Sequence, residues 1–261
     1  MQLQLSQSKY VVWKNPFESV IIDSDGFLHL EKNMIKNILF DLDDTILDFK
    51  IAERVALTKA LNELGISVDD YIVSQYSKYN ISQWKRLELG EITREQVKVN
   101  RFKLLFDELK LDVSPERTTA LYEDNLCIGH YFIDGAPEIL EALYEQYNLY
   151  LVSNGAKRVQ DSRLGSAGIS RYFKGIFISE VVGCEKPNRE FFDYCFSQIP
   201  DFKREETIII GDSLSSDIKG GINAGIKTVW FNHRGDDNSN DITPDYVVKH
   251  LSEIKAVLDV L

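Results

Sequence analysis

Short, unbroken apolar runs alternate with helix-length amphipathic segments through the second half of the chain. The runs are Leu149-Tyr-Leu-Val152, Gly175-Ile-Phe-Ile178, Ile208-Ile-Ile210 and Thr228-Val-Trp-Phe231, with a last short one at Tyr246-Val-Val248. A strand covered on both faces has no polar face to present, so it reads as a continuous apolar run. Strands alternating with helices predict a mostly parallel sheet with helices on both sides. Ile38-Leu39-Phe40 is a further run of this kind and belongs to the same sheet. The fold class is therefore α/β, with a Rossmann-like parallel core.

Between the first run and the second the period changes. Ile51, Val55, Leu57, Ala60, Leu61 and Leu64 recur at helical spacing, and Gly65 is a natural stop. A helix-like stretch begins near Ser67-Val-Asp-Asp. Gly90-Glu-Ile-Thr93 reads as a turn whose Thr93 caps the next helix, with Gln96 completing a capping box. Phe102, Leu105, Phe106 and Leu109 give that helix one apolar face, and Ser114-Pro-Glu opens another with Pro115 at its first position. Residues 49–128 thus read as an inserted α-helical block, and 34–48 with 129–261 as the α/β core. Residues 1–33 are an N-terminal extension of open role. Val20-Ile21-Ile22 and Phe27-Leu28-His29-Leu30 flank Asp25-Gly26 as a hairpin would. Met34 offers an alternative start that would make the extension dispensable.

With 261 residues and 44% hydrophobic content, the chain can bury a sizeable core. Its net charge of -11 argues against a broad basic face for a nucleic-acid polymer. A small anion could bind only where positive charge is concentrated. Cys127, Cys184 and Cys195 lack metal-site spacing and read as thiols of a reducing, cytoplasmic compartment. His29, His130, His233 and His250 are scattered and suggest no metal site. No apolar run is long enough to span a bilayer, and the first thirty residues lack signal-peptide character.

Ligands of such sheets bind beyond the carboxyl ends of the strands, so the residues there matter most. The first run ends in Asp41-Leu-Asp43-Asp44-Thr45, the second in Ser153-Asn-Gly155, and the fourth in Gly211-Asp212-Ser-Leu-Ser-Ser-Asp217. Glu185-Lys186-Pro187 lies between the third and fourth. Each has an ordinary reading as turn, cap or surface lysine. Together they place a nucleophile, an acid, a hydroxyl, a cation and spare carboxylates along one edge.

This combination resembles the haloacid dehalogenase superfamily, and its phosphatases in particular, from residue 35 onward. The Asp-x-Asp-x-Thr motif matches Asp41, Asp43 and Thr45; Ser153, Lys186 and the pair Asp212 and Asp217 match the other three motifs. The longer runs around Ser179–Gly183, Lys186–Tyr194 and Gly211–Gly225 look most like its pyrimidine 5'-nucleotidase branch. The resemblance implies a Rossmann-like core with a helical cap inserted after the first motif. It implies that Asp41 attacks phosphorus to form an aspartyl-phosphate and that Asp43 serves as acid and then base. It further implies Mg2+ on Asp41, the Asp43 carbonyl and Asp212 with Asp217 in support, and Thr45, Ser153, Asn154 and Lys186 around the phosphoryl group.

The expected reaction is hydrolysis of a small phosphorylated metabolite, with a nucleoside monophosphate as the leading substrate and a sugar phosphate as the alternative. Asp43 argues against a dehalogenase, because halide leaves without a proton. Lys59, Lys78, Lys85, Lys98 and Lys103 keep a phosphonate hydrolase open, a mutase would differ in the lifetime of the intermediate, which sequence does not record, and a scaffold on the same fold ranks lower. Trp84, Tyr76 and Tyr79 are candidates for stacking on a base, with helix packing as the competing reading. Trp230, ending a strand, reads as core.

Overall fold

The computed structural model describes residues 34–238 and 241–261, together with the backbone of four strands before them. These are β1 (Leu5–Ser6), β2 (Lys9–Asn15), β3 (Glu18–Ile22) and β4 (Leu28–Lys32), an antiparallel sheet in sequence order. β3 and β4 pair with Ile22 opposite Leu28, as the two arms of a hairpin would. The Asp25-Gly26 turn expected between them lies outside the described residues. The sequence reading foresaw these two strands and missed β1 and β2.

The main sheet begins with β5 (Asn37–Phe40). Four helices follow: α1 (Phe49–Glu63), α2 (Asp70–Glu88), α3 (Arg94–Leu109) and α4 (Pro115–Leu126). The chain continues through α5 (Ala136–Leu143), β6 (Asn148–Ser153), α6 (Lys157–Ala167), β7 (Phe173–Ile178), α7 (Ser179–Val182) and α8 (Arg189–Ser197). It closes with β8 (Thr207–Gly211), α9 (Lys219–Ala224), β9 (Lys227–Phe231), β10 (Tyr246–Val248) and α10 (Ile254–Val260).

Six strands form one parallel sheet in the order β10-β9-β8-β5-β6-β7. Side chains alternate across a strand, so each face has its own apolar layer. Ile38, Phe40, Leu151, Ile208 and Ile210 pack with Ile139 and Leu140 of α5 and Ile254 and Leu258 of α10. Leu39, Tyr150, Val152 and Ile209 pack with Phe191, Phe192 and Cys195 of α8. Each such side chain contributes roughly 1.5–3 kcal/mol when fully buried. β5 and β8 are buried throughout, whereas the edge strand β7 exposes Lys174 and Ile176.

The α1–α4 block has an apolar cluster of its own, centred on Tyr76, Phe102 and Tyr122, with ring centroids 5.0–5.6 Å apart. Its helices start where the sequence supplies caps. Asp48 accepts from Ile51 N–H, Asp69 from Ile72 N–H, Thr93 and Gln96 form the reciprocal capping box, and Ser114 precedes Pro115.

The strand order reverses at β5, the first strand of this sheet. The chain adds β6 and β7 on one side of β5, then crosses to place β8 on the other. Reversal opens a crevice at the carboxyl ends of neighbouring strands. The residues that follow β5, β6 and β8 converge there.

Candidate active site

Asp41 leaves β5 still tied to the sheet, its N–H donating to the Ile210 carbonyl at 3.0 Å. The ammonium of Lys186 donates to Asp41 Oδ1 at 2.7 Å, to Asp217 Oδ1 at 2.6 Å and to the Val152 carbonyl at 2.8 Å. All three ammonium protons are thus used inside the protein, and Lys186 is only 1% exposed. Burial by itself would lower the amine's proton affinity, but the carboxylates of Asp217 and Asp41 outweigh it and raise it above the lysine range.

Asp217 stands on a short π-helical turn, Leu214–Ile218, and not in an open acidic loop. Its Oδ2 accepts from the Ser213 N–H at 3.1 Å. A Cβ on Gly211 would lie 2.3 Å from that carboxylate, so the strand end and the acid can approach only because Gly211 has no side chain.

Asp41, Asp212 and Asp217 bring carboxylate oxygens within 4.8 Å of one another. Among the described residues, no cation pairs directly with the Asp212 side chain. Desolvation pushes Asp41 up to about 7, with the charges of Asp217 and Asp43 adding and Lys186 opposing. Asp212 is raised well above the usual carboxylate range, by desolvation first and then by Asp41 and Asp217. One ammonium does not neutralise this set of oxygens, and a hard divalent cation is what such a donor set fits.

Thr45 is fully buried, and its Oγ1 accepts from the Asp212 N–H at 3.1 Å, tying the end of β5 to the end of β8. Ser153 Oγ accepts from the Gly155 N–H at 3.0 Å. Asn154 clamps the lysine segment: its Nδ2 donates to the Lys186 carbonyl and its Oδ1 accepts from the Lys186 N–H, both at 2.9 Å. Asp44 adopts φ 61° and accepts from the Phe49 N–H at 2.9 Å and from Arg234 at 2.7 Å.

Thr45 apart, the residues read from the motifs line one cavity. The family model described as haloacid dehalogenase-like hydrolase matches residues 38–231. The chain belongs to the haloacid dehalogenase-like hydrolases. The HAD-hydrolase YfnB of Bacillus subtilis is 39% identical over 225 residues, spanning 86% of this chain and 96% of that protein. A crystal structure of YfnB bound to magnesium superposes with a TM-score of 0.83, covering 87% of this chain and 99% of that one. The pyrimidine 5'-nucleotidase PynA of Streptococcus pneumoniae is 37% identical, spanning 86% of this chain and 95% of that protein. The pyrimidine 5'-nucleotidase YjjG of Escherichia coli is 29% identical, spanning 85% and 96%.

In this hydrolase the cavity holds about 320 Å³ and is lined from both sides, by Asp41, Asp43, Ser153, Lys186 and Asp212 of the sheet ends and by Trp84, Lys85, Lys98 and Arg101 of the helical block. Of the three aromatics named for stacking, Trp84 alone reaches it. Tyr76 is fully buried in the helical core, and the Tyr79 hydroxyl donates to Glu108. Helix packing accounts for Tyr76, since an i, i+3 aromatic spacing cannot say which face turns inward. Lys98 lines the cavity but is paired with Glu123 at 3.2 Å and Glu180 at 3.6 Å. Trp230 is core, and its Nε1 donates to the Asp212 carbonyl at 2.7 Å.

Sequence reasoning missed Gln160 and Arg163 of α6. Gln160 Nε2 donates to Asp43 Oδ2 at 2.6 Å, and Arg163 Nη1 is ion-paired with Asp43 Oδ1. It also missed Arg94 of α3, which donates to Ser179 at 2.6 Å and to Glu185 at 2.9 Å. A signal existed for the first two. Val159, Gln160, Arg163 and Leu164 share the buried face of one helix, and two long polar residues at core positions call for a polar partner.

Proposed function

We propose that this hydrolase is a Mg2+-dependent phosphomonoester phosphatase that works through an aspartyl-phosphate on Asp41. The observation that carries the reading is Lys186, buried with its ammonium between Asp41 and Asp217, beside an Asp212 whose carboxylate joins theirs in one cluster and has no ion-pair partner among the described residues. An aryl or alkyl phosphate entering this crevice meets a carboxylate nucleophile at the end of β5 and a fixed positive charge beside it.

Asp41 attacks phosphorus, the bond to the leaving oxygen breaks, and Asp43 gives that oxygen a proton. Asp43 then takes a proton from the water that attacks the acyl phosphate, which restores Asp41 and releases inorganic phosphate. Ser153, the Asn154 amide, Thr45 and Lys186 surround the phosphoryl oxygens or hold the segments that do. The Asp41 and Asp212 carboxylates and the Asp43 carbonyl would hold Mg2+, with Asp217 in support. The ion supplies charge neutralisation for the phosphoryl group as negative charge shifts.

No single group supplies the acceleration that phosphate monoesters require, which approaches ~10²¹-fold. A positioned acid gives typically ~10²- to 10⁴-fold. Fixed charges and oriented N–H groups in a water-poor crevice supply the larger share.

Residues 49–128 act in this reading as a cap over a core made of 34–48 and 129–261. The cap wall of the cavity, with Trp84 on it, faces the leaving group. PynA and YjjG act on pyrimidine nucleotides by name, and this makes a pyrimidine nucleoside monophosphate the first substrate class to test. Cys127, Cys184 and Cys195 are free thiols, in keeping with a cytoplasmic setting.

The experiment is phosphate release from nucleoside monophosphates, sugar phosphates and an aryl phosphate with Mg2+, beside an Asp41→Asn variant and an EDTA control. Release from pyrimidine monophosphates that is lost in both controls supports the whole reading. Release from sugar phosphates alone keeps the chemistry and replaces the substrate. No release from any compound overturns the phosphatase.

A further inference from the structure

We infer that Gln160 and Arg163 are positioning residues that hold the Asp43 carboxyl group in line for proton transfer; the inference rests on the phosphatase reading above. Asp43 needs holding. Its side chain is 27% exposed, three times as open as that of Asp41 at 9%, and sits at the mouth of the cluster. Left alone, it can swing toward water. A proton-transfer group must stay within roughly 2.6–3.2 Å of the atom it serves.

Helix α6 takes both oxygens of Asp43. Gln160 Nε2 donates to Oδ2 at 2.6 Å, and Arg163 Nη1 pairs with Oδ1. The two side chains also brace each other, Arg163 Nη1 donating to Gln160 Oε1 at 3.0 Å. Gln160 Nε2 donates in addition to Ser153 Oγ at 2.9 Å. One amide therefore fixes the proton-transfer carboxyl relative to the hydroxyl assigned to the phosphoryl oxygens. The seat is tight: a Cβ on Gly155 would lie 2.2 Å from Gln160 Nε2.

Stability does not explain these residues. Gln160 is 1% exposed and Arg163 fully buried, between apolar neighbours on the inner face of α6. Burying a guanidinium is costly unless it is paired, and apolar residues of similar volume would serve the core as well or better. Among the described residues, Arg163 Nη2 has no hydrogen-bond partner. Besides the bond to Gln160 and a position 5.7 Å from the Phe49 ring, Arg163 gains a bond from Nε to the Gly129 carbonyl at 2.9 Å and the pair with Asp43, its sole carboxylate partner among the described residues. The arrangement makes sense if its purpose is the orientation of Asp43.

Orientation of an acid matters in proportion to how badly the leaving group needs a proton. An alkoxide such as a nucleotide 5'-oxygen needs one to depart, whereas p-nitrophenolate leaves readily without. Gln160→Met and Arg163→Met are therefore compared with wild type on a nucleoside monophosphate and on p-nitrophenyl phosphate, with thermal unfolding recorded for each. The expected result is a loss in kcat/KM, which reports the step in which the leaving group departs, about 10-fold or more larger on the nucleotide than on the aryl ester; hydrolysis of the aspartyl-phosphate is common to both esters and affects kcat alone. In an Asp43→Asn background the same substitutions add no further selective loss. Equal losses on both esters, or losses that persist beside Asp43→Asn, would overturn the inference. If Arg163→Met does not fold, Gln160→Met decides alone. Wild-type enzyme inactive on both esters and on the sugar phosphates would instead overturn the phosphatase reading itself.

Discussion

Arg94 of α3 donates through Nη1 to the backbone carbonyl of Asn154 at 2.6 Å, joining the helical block to the loop that ends β6. Its Nη2 reaches Ser179 and Glu185 from the same side chain. Its guanidinium also lies 5.6 Å from the Trp84 ring. One residue thus holds the cavity's upper wall, the Ser153-Asn154 loop and the Lys186 segment in register. Arg94→Ala removes several charge-assisted hydrogen bonds and leaves Glu185 half-buried without this partner. A loss of ~2–3 kcal/mol follows. For a chain of this size that lowers the unfolding midpoint by about 4–12 °C. If the helical wall meets the leaving group as proposed, KM should rise more than kcat falls, because that wall loosens first. Differential scanning calorimetry and steady-state kinetics check the two parts separately.

Lys186→Met tests the charge balance of the crevice. The substitution keeps the volume and removes the one ammonium between Asp41 and Asp217. Two buried carboxylates are then left facing each other. Breaking such a pair by removing one partner costs roughly 3–5 kcal/mol. The variant should unfold at distinctly lower urea and release no phosphate, and a companion Lys186→Arg should recover stability better than activity, because a planar fork cannot reproduce three ammonium bonds.

Two glycines predict opposite outcomes. Gly211→Ala drives a methyl group into the Asp217 carboxylate at 2.3 Å and should cost about 1–3 kcal/mol as an overpacking change, with a larger loss of activity as Asp217 is pushed off Lys186. Gly165 lies inside α6 with nothing near its missing side chain. Gly165→Ala should therefore stabilise by about 0.5–1 kcal/mol at unchanged activity. Chemical denaturation of the pair measures both, and a stabilised Gly211→Ala would contradict the geometry.

Glu53 of α1 is buried inside the helical block, where Asn80 Nδ2 donates to it at 2.7 Å and Ser77 bonds its other oxygen. Burial raises its proton affinity above the ordinary glutamate value, and the two hydrogen bonds and Arg101 only partly offset this. A carboxyl group raised in the folded state stabilises while protonated and loses that contribution as pH climbs through its folded pKa. Glu53→Gln keeps the shape and cannot ionise. Its unfolding midpoint relative to wild type should therefore improve as pH rises above the ordinary glutamate range. A difference independent of pH would show that Glu53 does not titrate above that range.

The parallel strands were legible because a strand covered on both faces leaves few polar positions: the runs at 149–152, 175–178 and 208–210 have none, and Thr228 is the single one in 228–231. The helix starts at Thr93 and Ser114 were legible because capping is local chemistry, complete within four residues. Gln160 and Arg163 escaped notice because their partner, Asp43, is more than one hundred positions away in sequence. Arg94 escaped for the same reason, its partners lying 60 to 91 positions on. The aromatic candidates divided only when helix packing turned Tyr76 into the core and Trp84 toward the cavity.

From residue 34 on, the sequence by itself determined the strand-and-helix order, the family, which carboxylates and hydroxyl stand at strand ends, and which lysine follows the 175–178 run, because each of these is written in residues adjacent along the chain. Only the tertiary structure decided that β5 sits between β6 and β8. That placement puts Asp41 beside Lys186, Asp212 and Asp217, and seats Asp43 against α6. The reason is physical: pairing in a parallel sheet is a long-range choice made by burial on both faces, and local pattern carries no record of which strand will be the neighbour.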